Sequence, residues 1–378
     1  MIEQINFLEL ESPSNARLAD AIPKAKRPLL SRYKRIQDKF NHDPRDEHKV
    51  FVDTSSTFTN KTVFNFVDLF AGAGGMTLGF VQAGFRPLLS VEVDKDASAT
   101  YRRNFPDSIH CQQRVEDLTD VFINQVTKNH HVHVVCGGPP CQGFSIAGRR
   151  NPNDERNKLF REFVRLVKTI QPDYVVMENV PGILTMQNGA FFDYITSAFA
   201  EAGYPQMSVA ILEAAAYGVP QIRPRSIFIA NRHNLSNPYP LSILDESNYV
   251  PIEARIDDLK DQPADPASNH EWTRHSASME GRLAQVAAGH SLYPSYTDAW
   301  KRQYMGVPAM TIKENHGGTH IHPQLNRVLS AREMARLQSF PDNFVFAGTM
   351  KRAMWQIGNA VPPLLARHIA LAVRQFLG

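Results

Sequence analysis

The stretch from Val63 to Phe80 constrains the fold of this 378-residue chain more than any other. Val63-Phe64-Asn65-Phe66-Val67-Asp68-Leu69-Phe70 is rich in β-branched and aromatic residues and reads as a buried strand. Ala71-Gly72-Ala73-Gly74-Gly75-Met76-Thr77-Leu78-Gly79-Phe80 then turns that strand into a helix. Glycines at such a turn let the backbone approach a ligand and let the helix lie close to the sheet.

The next strand, Pro87-Leu88-Leu89-Ser90-Val91, ends at Glu92, 20 residues beyond Gly72. An acid at that distance is placed to hold a ribose diol. The same glycine turn serves NAD and FAD enzymes. Here the glycines are not a clean Gly-x-Gly-x-x-Gly, and no basic or hydroxyl residue stands among them to seat a pyrophosphate. The pattern therefore favours a nucleoside cofactor without phosphates, such as S-adenosylmethionine.

From 62 to about 232, strands and helices alternate, which predicts a mostly parallel sheet covered on both faces. Further strands are expected at Val132–Cys136, Tyr174–Met177 and Ser226–Ala230, with helices over 95–104 and 158–170. Pro172 closes the second helix. From about 233 the sequence turns Pro-, Ser- and Asn-rich, as in Asn237-Pro238-Tyr239-Pro240, and a boundary is expected there. Residues 233–356 are expected to form a smaller domain of short, irregular elements, and a helix is expected from Leu364 to Phe376. Residues 1–61 lack the alternating rhythm and carry Lys24, Lys26, Arg27, Arg32, Lys34, Arg35 and Lys39. They read either as a solvated helix or flexible arm, or as an arm touching DNA phosphates.

The run Gly137-Gly138-Pro139-Pro140-Cys141-Gln142-Gly143-Phe144-Ser145 carries the chemistry. It follows a short apolar strand, and its two prolines make it a stiff loop rather than a helix. Open α/β folds place reacting groups on loops at the carboxyl ends of strands. Cys141 reads there as a nucleophile, whereas Cys136 within the strand reads as packing.

Taken together, ordered blocks along the chain resemble the bacterial-type DNA (cytosine-5-)-methyltransferase family. They are Asp68–Gly75, Glu92-Val93-Asp94, the Pro-Cys-Gln run, Arg156–Phe160, Glu178-Asn179-Val180 and Gln221-Ile222-Arg223-Pro224-Arg225. Arg332–Pro341 and Gln356–Pro362 complete the series. The resemblance runs from about Val63 to the C-terminus. It implies a Rossmann-like S-adenosylmethionine-dependent methyltransferase domain over 62–232, a target-recognition domain over 233–356, and a C-terminal segment, 357–378, that returns to the catalytic domain.

Carbon 5 of cytosine is too weak a nucleophile to take a methyl group directly. Addition of a thiolate at carbon 6 makes it enamine-like, and Cys141 is the thiol. The thiol needs local positive charge, for which Arg223 and Arg225 are candidates, two apart and so on one face of a strand. Glu178 ends an apolar strand, so burial should favour its protonated form, able to donate to cytosine ring nitrogen 3. The resemblance makes Glu178 the catalytic acid and sets Arg225 near the cytosine carbonyl oxygen. No side chain declares itself as the base that removes the carbon 5 proton, and water is expected there. Asn179 reads as a structural cap.

For the cofactor, the resemblance assigns Phe70, Gly72, Gly74 and Gly75 to the pocket wall, Glu92 to the ribose and Asp117 to the adenine amine. Leu159 lines the adenine, Pro140 joins the pocket, and Asn359 and Val361 complete the methionine end. Val93 departs from the family, many members of which place an aromatic residue there. The target base must flip out of the duplex. Ser145, Arg149 and Arg150 are placed to hold phosphates and enter the gap. Thr311, Gly317 and Gly318 resemble the recognition core, and Arg274, Lys301, Arg302 and Lys313 are candidate DNA contacts.

Composition bounds the rest. Hydrophobic residues make up 43% and charged residues 21%, as in a soluble globular protein. The formal charge of +3 permits nucleic-acid binding without requiring it. Cysteines stand at 111, 136 and 141, in no zinc or disulfide spacing. His130, His131 and His133 lack a carboxylate or thiol at matching spacing, so they read as a loop entering a strand rather than a metal site. No signal peptide or spanning segment is visible, and a cytoplasmic monomer is expected. Expected partners are double-stranded DNA and a cognate restriction endonuclease or defence protein; a solitary methylase would look the same. A Rossmann oxidoreductase would leave the Pro-Cys-Gln and Gln-x-Arg-x-Arg blocks without a reason. A tRNA-directed relative would carry a further cysteine after Cys141, and none follows it. A catalytically dead DNA-binding regulator would be expected to lack Cys141 or Glu178.

Overall fold

The computed structural model describes residues 49–50, 52, 63–140, 158–295, 299–313 and 320–377. The strands β1 (Phe64–Leu69), β2 (Phe85–Val91), β3 (Ile109–Cys111) and β4 (Val132–Gly137) are followed by β5 (Tyr174–Asn179), β6 (Gln206–Glu213) and β7 (Pro224–Asn231). They form one seven-stranded sheet in the order β3-β2-β1-β4-β5-β7-β6. The strands from β3 to β5 pair in parallel, while β7 runs antiparallel to both of its neighbours. Every residue of β1 and of β7 is buried, as expected of central strands covered on both faces.

Helices α1 (Gly75–Gln82), α2 (Lys95–Asn104), α3 (Asp120–Thr127), α4 (Lys158–Ile170) and α5 (Ala190–Glu201) connect or flank the strands. The short α6 (Glu253–Ile256) and α7 (Ala277–Ala284) follow. The chain closes with α8 (Ala331–Leu337), α9 (Met350–Asn359) and α10 (Pro363–Arg374). Helices α2 and α4 span the predicted ranges, and α10 begins one residue and ends two residues earlier than predicted. Within 62–232, β3 and α3, which are short or weakly patterned, went unread, as did α5 and β6; beyond it the helices α8 and α9 were not singled out.

Alternate residues of each strand serve opposite faces. Phe66, Val134 and Ile227 join Phe80 of α1 and Leu365 and Ile369 of α10 on one side. Val67, Val135 and Phe228 join Phe163 and Leu166 of α4 and Phe199 of α5 on the other. A third core joins Ala71, Leu78 and Tyr101 to Ile312, Met334, Phe340, Met354 and Ile357.

These cores shift the expected boundaries at both ends of the smaller domain. Tyr239–Pro240 pairs in parallel with Lys49–Val50, and the Tyr239 ring lies in the core shared by β1 and α10. Its hydroxyl lies 3.1 Å from Ser208 Oγ and donates to Ile227 O at 3.3 Å. The chain therefore stays on the large sheet past 233. It also returns before 357, because α8 and α9 already pack on α1 and α2. A Pro- and Asn-rich composition marks the loss of regular structure, and packing partners do not follow from it.

Candidate active site

Strand order reverses between β1 and β4, and the loops leaving their carboxyl ends diverge around a crevice, the usual ligand position in open α/β sheets. On the β1 side the turn uses positive φ at Phe70 (62°), Gly72 (54°) and Gly74 (94°). Glu92 fastens it. Its Oε2 accepts the Gly72 N–H at 2.9 Å and its Oε1 accepts the Asp94 N–H at 2.8 Å. Each carboxylate oxygen has a second lone pair for an outside donor. Burial pushes the Glu92 carboxyl above its ordinary value, and the two backbone donors hold that rise back.

A Cβ added at Gly72 would meet nothing within 4 Å, so this glycine faces open space. Val93 beside it is 60% exposed, an apolar surface at the rim. Asp117 is exposed on the 3-10 turn Val115–Asp117, which packs on α4. Leu159 is half-buried in the first turn of α4, and the half-buried Phe70 ring lies 6.5 Å from that of Phe163. Asn359 is exposed at the end of α9, while Val361 is buried. Gly74 and Gly75 serve packing: an added Cβ would come 2.4 Å from the Phe105 ring and 2.3 Å from Val361 O, respectively.

On the β4 side, Gly138, Pro139 and the exposed Pro140 leave the sheet beside β5. Asn179 Nδ2 donates to Pro139 O at 3.0 Å, and Asn179 Oδ1 accepts the Val180 N–H at 2.9 Å. One amide thus ties the proline loop to the strand end that carries Glu178. A Cβ on Gly138 would stand 3.3 Å from Glu178 Oε2, so the loop passes close over that carboxylate. Glu178 was expected among apolar neighbours alone. The structure instead sets a guanidinium on it: Arg225 Nε donates to Glu178 Oε1 at 2.8 Å, with side chains only 11% and 14% exposed.

Arg223 is a correction. Its guanidinium donates to Ile312 O at 2.8 Å, Gly358 O at 2.8 Å and Ala360 O at 3.0 Å, and burial drives its pKa well down. It ties Ile312 to the C-terminal segment and is closed off from solvent, although Arg225 and Glu178 lie close enough to act on its charge. The strand begins at Pro224, so the one-face rule for alternate strand residues does not reach Arg223. Arg302 is a second correction. It is buried and donates to the carbonyls of Leu283, Val286, His322 and Leu325 at 2.6 to 2.9 Å. Thr311 Oγ1 donates to Ile222 O at 2.6 Å, which joins the segment around Thr311 to the Gln-x-Arg-x-Arg block. Cys141, Ser145, Arg149, Arg150, Gly317 and Gly318 lie outside the described residues, as does the basic segment 24–39.

Three supports escaped the sequence reading. Gln221 donates to Leu337 O and Gln338 Oε1 and accepts the Ile312 N–H at 2.7 Å, all out of solvent. Arg352 pairs with Asp94 and with Asp96 at 2.9 Å, bracing the segment after Glu92. Asp68 is buried beneath the glycine turn, accepts from Thr77 Oγ1 at 2.6 Å, and is pushed up to about 7 by that burial. Gln221 and Asp68 stood within recognised blocks, yet no local pattern gave their partners.

The C-5 cytosine-specific DNA methylase profile matches residues 64–375. The type II methyltransferase M1.HphI of Haemophilus parahaemolyticus is 41% identical over 321 residues, 82% of this chain and 86% of that protein. The type II methyltransferase M.DdeI of Desulfomicrobium norvegicum is 35% identical, over 81% of this chain and 87% of its own length. Among solved structures, a protein assigned as a DNA modification methyltransferase within an E. coli prophage superposes with a TM-score of 0.69. It is 28% identical and covers 83% of this chain and 99% of its own. By sequence and by fold, the chain belongs to the C-5 cytosine-specific DNA methylases and is a DNA (cytosine-5-)-methyltransferase.

Proposed function

We propose that this enzyme methylates carbon 5 of a flipped-out cytosine within a specific duplex DNA sequence, as the modification partner of a restriction system. The observation that carries the reading is the Glu178–Arg225 pair, set beside the Asn179-anchored loop that leads into Cys141. The restriction context comes from the relatives, which are type II methyltransferases.

The β1 side of the crevice fits S-adenosylmethionine. Glu92 offers two lone pairs to a ribose diol, Gly72 leaves the wall open, and Asp117 and Asn359 are exposed for the adenine amine and the amino-acid end. When bound, this cofactor supplies the electrophilic methyl group that carbon 5 receives.

The chain's own residues prepare the base. Arg225 steadies the cytosine carbonyl oxygen, and Glu178 holds ring nitrogen 3 and the exocyclic amine. Cys141 sulfur forms a bond to carbon 6, which pushes the ring electrons toward carbon 5. After carbon 5 is methylated it gives up its proton to a base, the carbon 5–carbon 6 double bond re-forms, and the sulfur–carbon bond breaks. With Arg223 committed to carbonyls, Arg225 is the cation of the described Arg-x-Arg pair on the catalytic side.

Fluorine at carbon 5 cannot leave as a cation. DNA containing 5-fluorocytosine at the target should therefore trap the enzyme covalently, only with S-adenosylmethionine present, and the adduct should map to the peptide of Cys141. Cys141→Ser should bind DNA and form no adduct. A stable adduct on another residue, or turnover by the serine variant, would overturn the mechanism.

A further inference from the structure

The amino-terminal pole of the sheet, opposite Glu92 and Glu178, gathers three histidines and an aspartate from three adjacent strands. His131 precedes β4, His133 lies within it, Asp173 precedes β5, and His233 follows the antiparallel β7. The registers Val134↔Tyr174 and Tyr174↔Asn231 bring these ends level. Spacing along the chain offered the histidines no carboxylate. The sheet supplies Asp173, 42 residues from His131.

The contacts are close. His131 Nε2 stands 2.6 Å from Asp173 Oδ2, and His233 Nε2 stands 2.8 Å from Asp173 Oδ1. One ligand atom each from His131, His133 and Asp173 all lie within 4.8 Å of one another. Around a tetrahedral zinc ion, with bonds of about 2.0–2.1 Å, such atoms sit roughly 3.3 Å apart. Closing the difference takes rotation of the His131 side chain, which is 57% exposed, together with a change of hydrogen bonding at His133. Two imidazoles and a carboxylate suit zinc or nickel rather than magnesium or calcium.

We infer that His131, Asp173 and His133 form a binding site for a divalent transition-metal ion of the zinc or nickel class. His233, on the other carboxylate oxygen, orients Asp173 from outside the coordination sphere, as carboxylate–histidine pairs do at metal centres. His133 is the weakest of the three ligands. Its Nδ1 accepts the Asn65 N–H at 3.0 Å, so the ring must trade that tautomer, and with it that bond, to ligate. The site ties β4 to β5 at the pole away from the crevice, so it is structural and does not enter methyl transfer.

Isothermal titration of the metal-stripped full chain with zinc chloride, and separately with nickel chloride, tests this. One ion per chain should bind at this site. His131→Ala should weaken that binding by about tenfold or more, and His133→Gln should weaken it less. Zinc should raise the thermal midpoint of the unaltered chain and leave that of His131→Ala unmoved, since a ligand held only by the folded state stabilises it. Because His131 is largely exposed, its variant should fold, and circular dichroism checks that it does. Absence of saturable binding, or equal affinity and equal thermal shift in His131→Ala, would overturn the site.

Discussion

Arg225 and Glu178 meet across the antiparallel pair of β5 and β7, with Arg225 Nε 2.8 Å from Glu178 Oε1. The register pairs Glu178 with Ile227 and Asn179 with Ser226, so Arg225 lies one position beyond the last paired residue. The ion pair therefore sits just past the end of the β5–β7 ladder, where the proline loop departs from the neighbouring strand, and each side chain fixes the direction of the other.

Arg225→Ala should expose how much depends on that pair. It leaves Glu178 in a mostly enclosed position without its cation, a change that costs roughly 3–5 kcal/mol when a pair is fully buried. The residual exposure of both side chains places the expected loss at the lower end, about 3 kcal/mol. Urea unfolding measures it, and methyl incorporation should fall by about 100-fold or more. Unchanged stability would show the pair to be incidental.

Glu92→Ala should weaken S-adenosylmethionine binding, by roughly 3–6 kcal/mol at most, with DNA binding retained. Glu92→Gln keeps one acceptor for the backbone donors at Gly72 and Asp94 and should lose less. Since burial raises the Glu92 carboxyl, cofactor affinity should begin to fall at a higher pH than an ordinary carboxylate would dictate. Calorimetry with an unchanged affinity in the alanine variant would remove Glu92 from the pocket.

Two glycine substitutions in one turn should fail differently. Gly75→Ala drives a Cβ to 2.3 Å from Val361 O, a backbone atom that must move, and overpacking of this kind costs typically about 1–3 kcal/mol. Gly72→Ala meets no neighbour but pays about 1–2 kcal/mol for its left-handed backbone, φ 54°. Its methyl group would also stand in the crevice. Thermal unfolding should separate the two by stability, and cofactor titration should show the larger loss of affinity per unit of stability for Gly72→Ala.

Asp68 should give the chain a pH signature. Its carboxyl, pushed up to about 7 by burial, holds a proton in the folded state that the unfolded chain has already released above about pH 4. Stability from this group is therefore lost as pH rises from about 4 to 7. Half-buried His110 and buried His320, His322 and His368, pushed down to about 4, contribute with the opposite sign as pH rises to about 6.5. The total curve mixes these effects, so the informative quantity is the difference between Asp68→Asn and the unaltered chain. Asparagine keeps an acceptor for Thr77 Oγ1. Its stability relative to aspartate should rise by a few kcal/mol across that interval in urea titrations. A difference that stays flat with pH would place a charged carboxylate in the core.

The positions of Glu178 and Glu92 at strand ends, of the glycine turn and of the proline loop were legible because each depends on short-range pattern: a strand end, a tight turn, a fixed spacing. Helices α2 and α4 were legible for the same reason. The role of Arg223 was not, because its three carbonyl partners lie 89 to 137 residues away and its distance from Arg225 says nothing of where each guanidinium points.

By itself, then, the sequence determined the α/β class and where the glycine turn and the proline loop leave the strands, since these follow from local backbone preference and motif order. Only the tertiary structure decided how polar groups far apart in the chain are satisfied. Gln221 against Gln338, Asn179 against Pro139 O, and Asp173 between His131 and His233 are settled by packing. A buried donor or acceptor must find a partner wherever the fold brings one within 3 Å or so, and no periodicity along the chain encodes that choice.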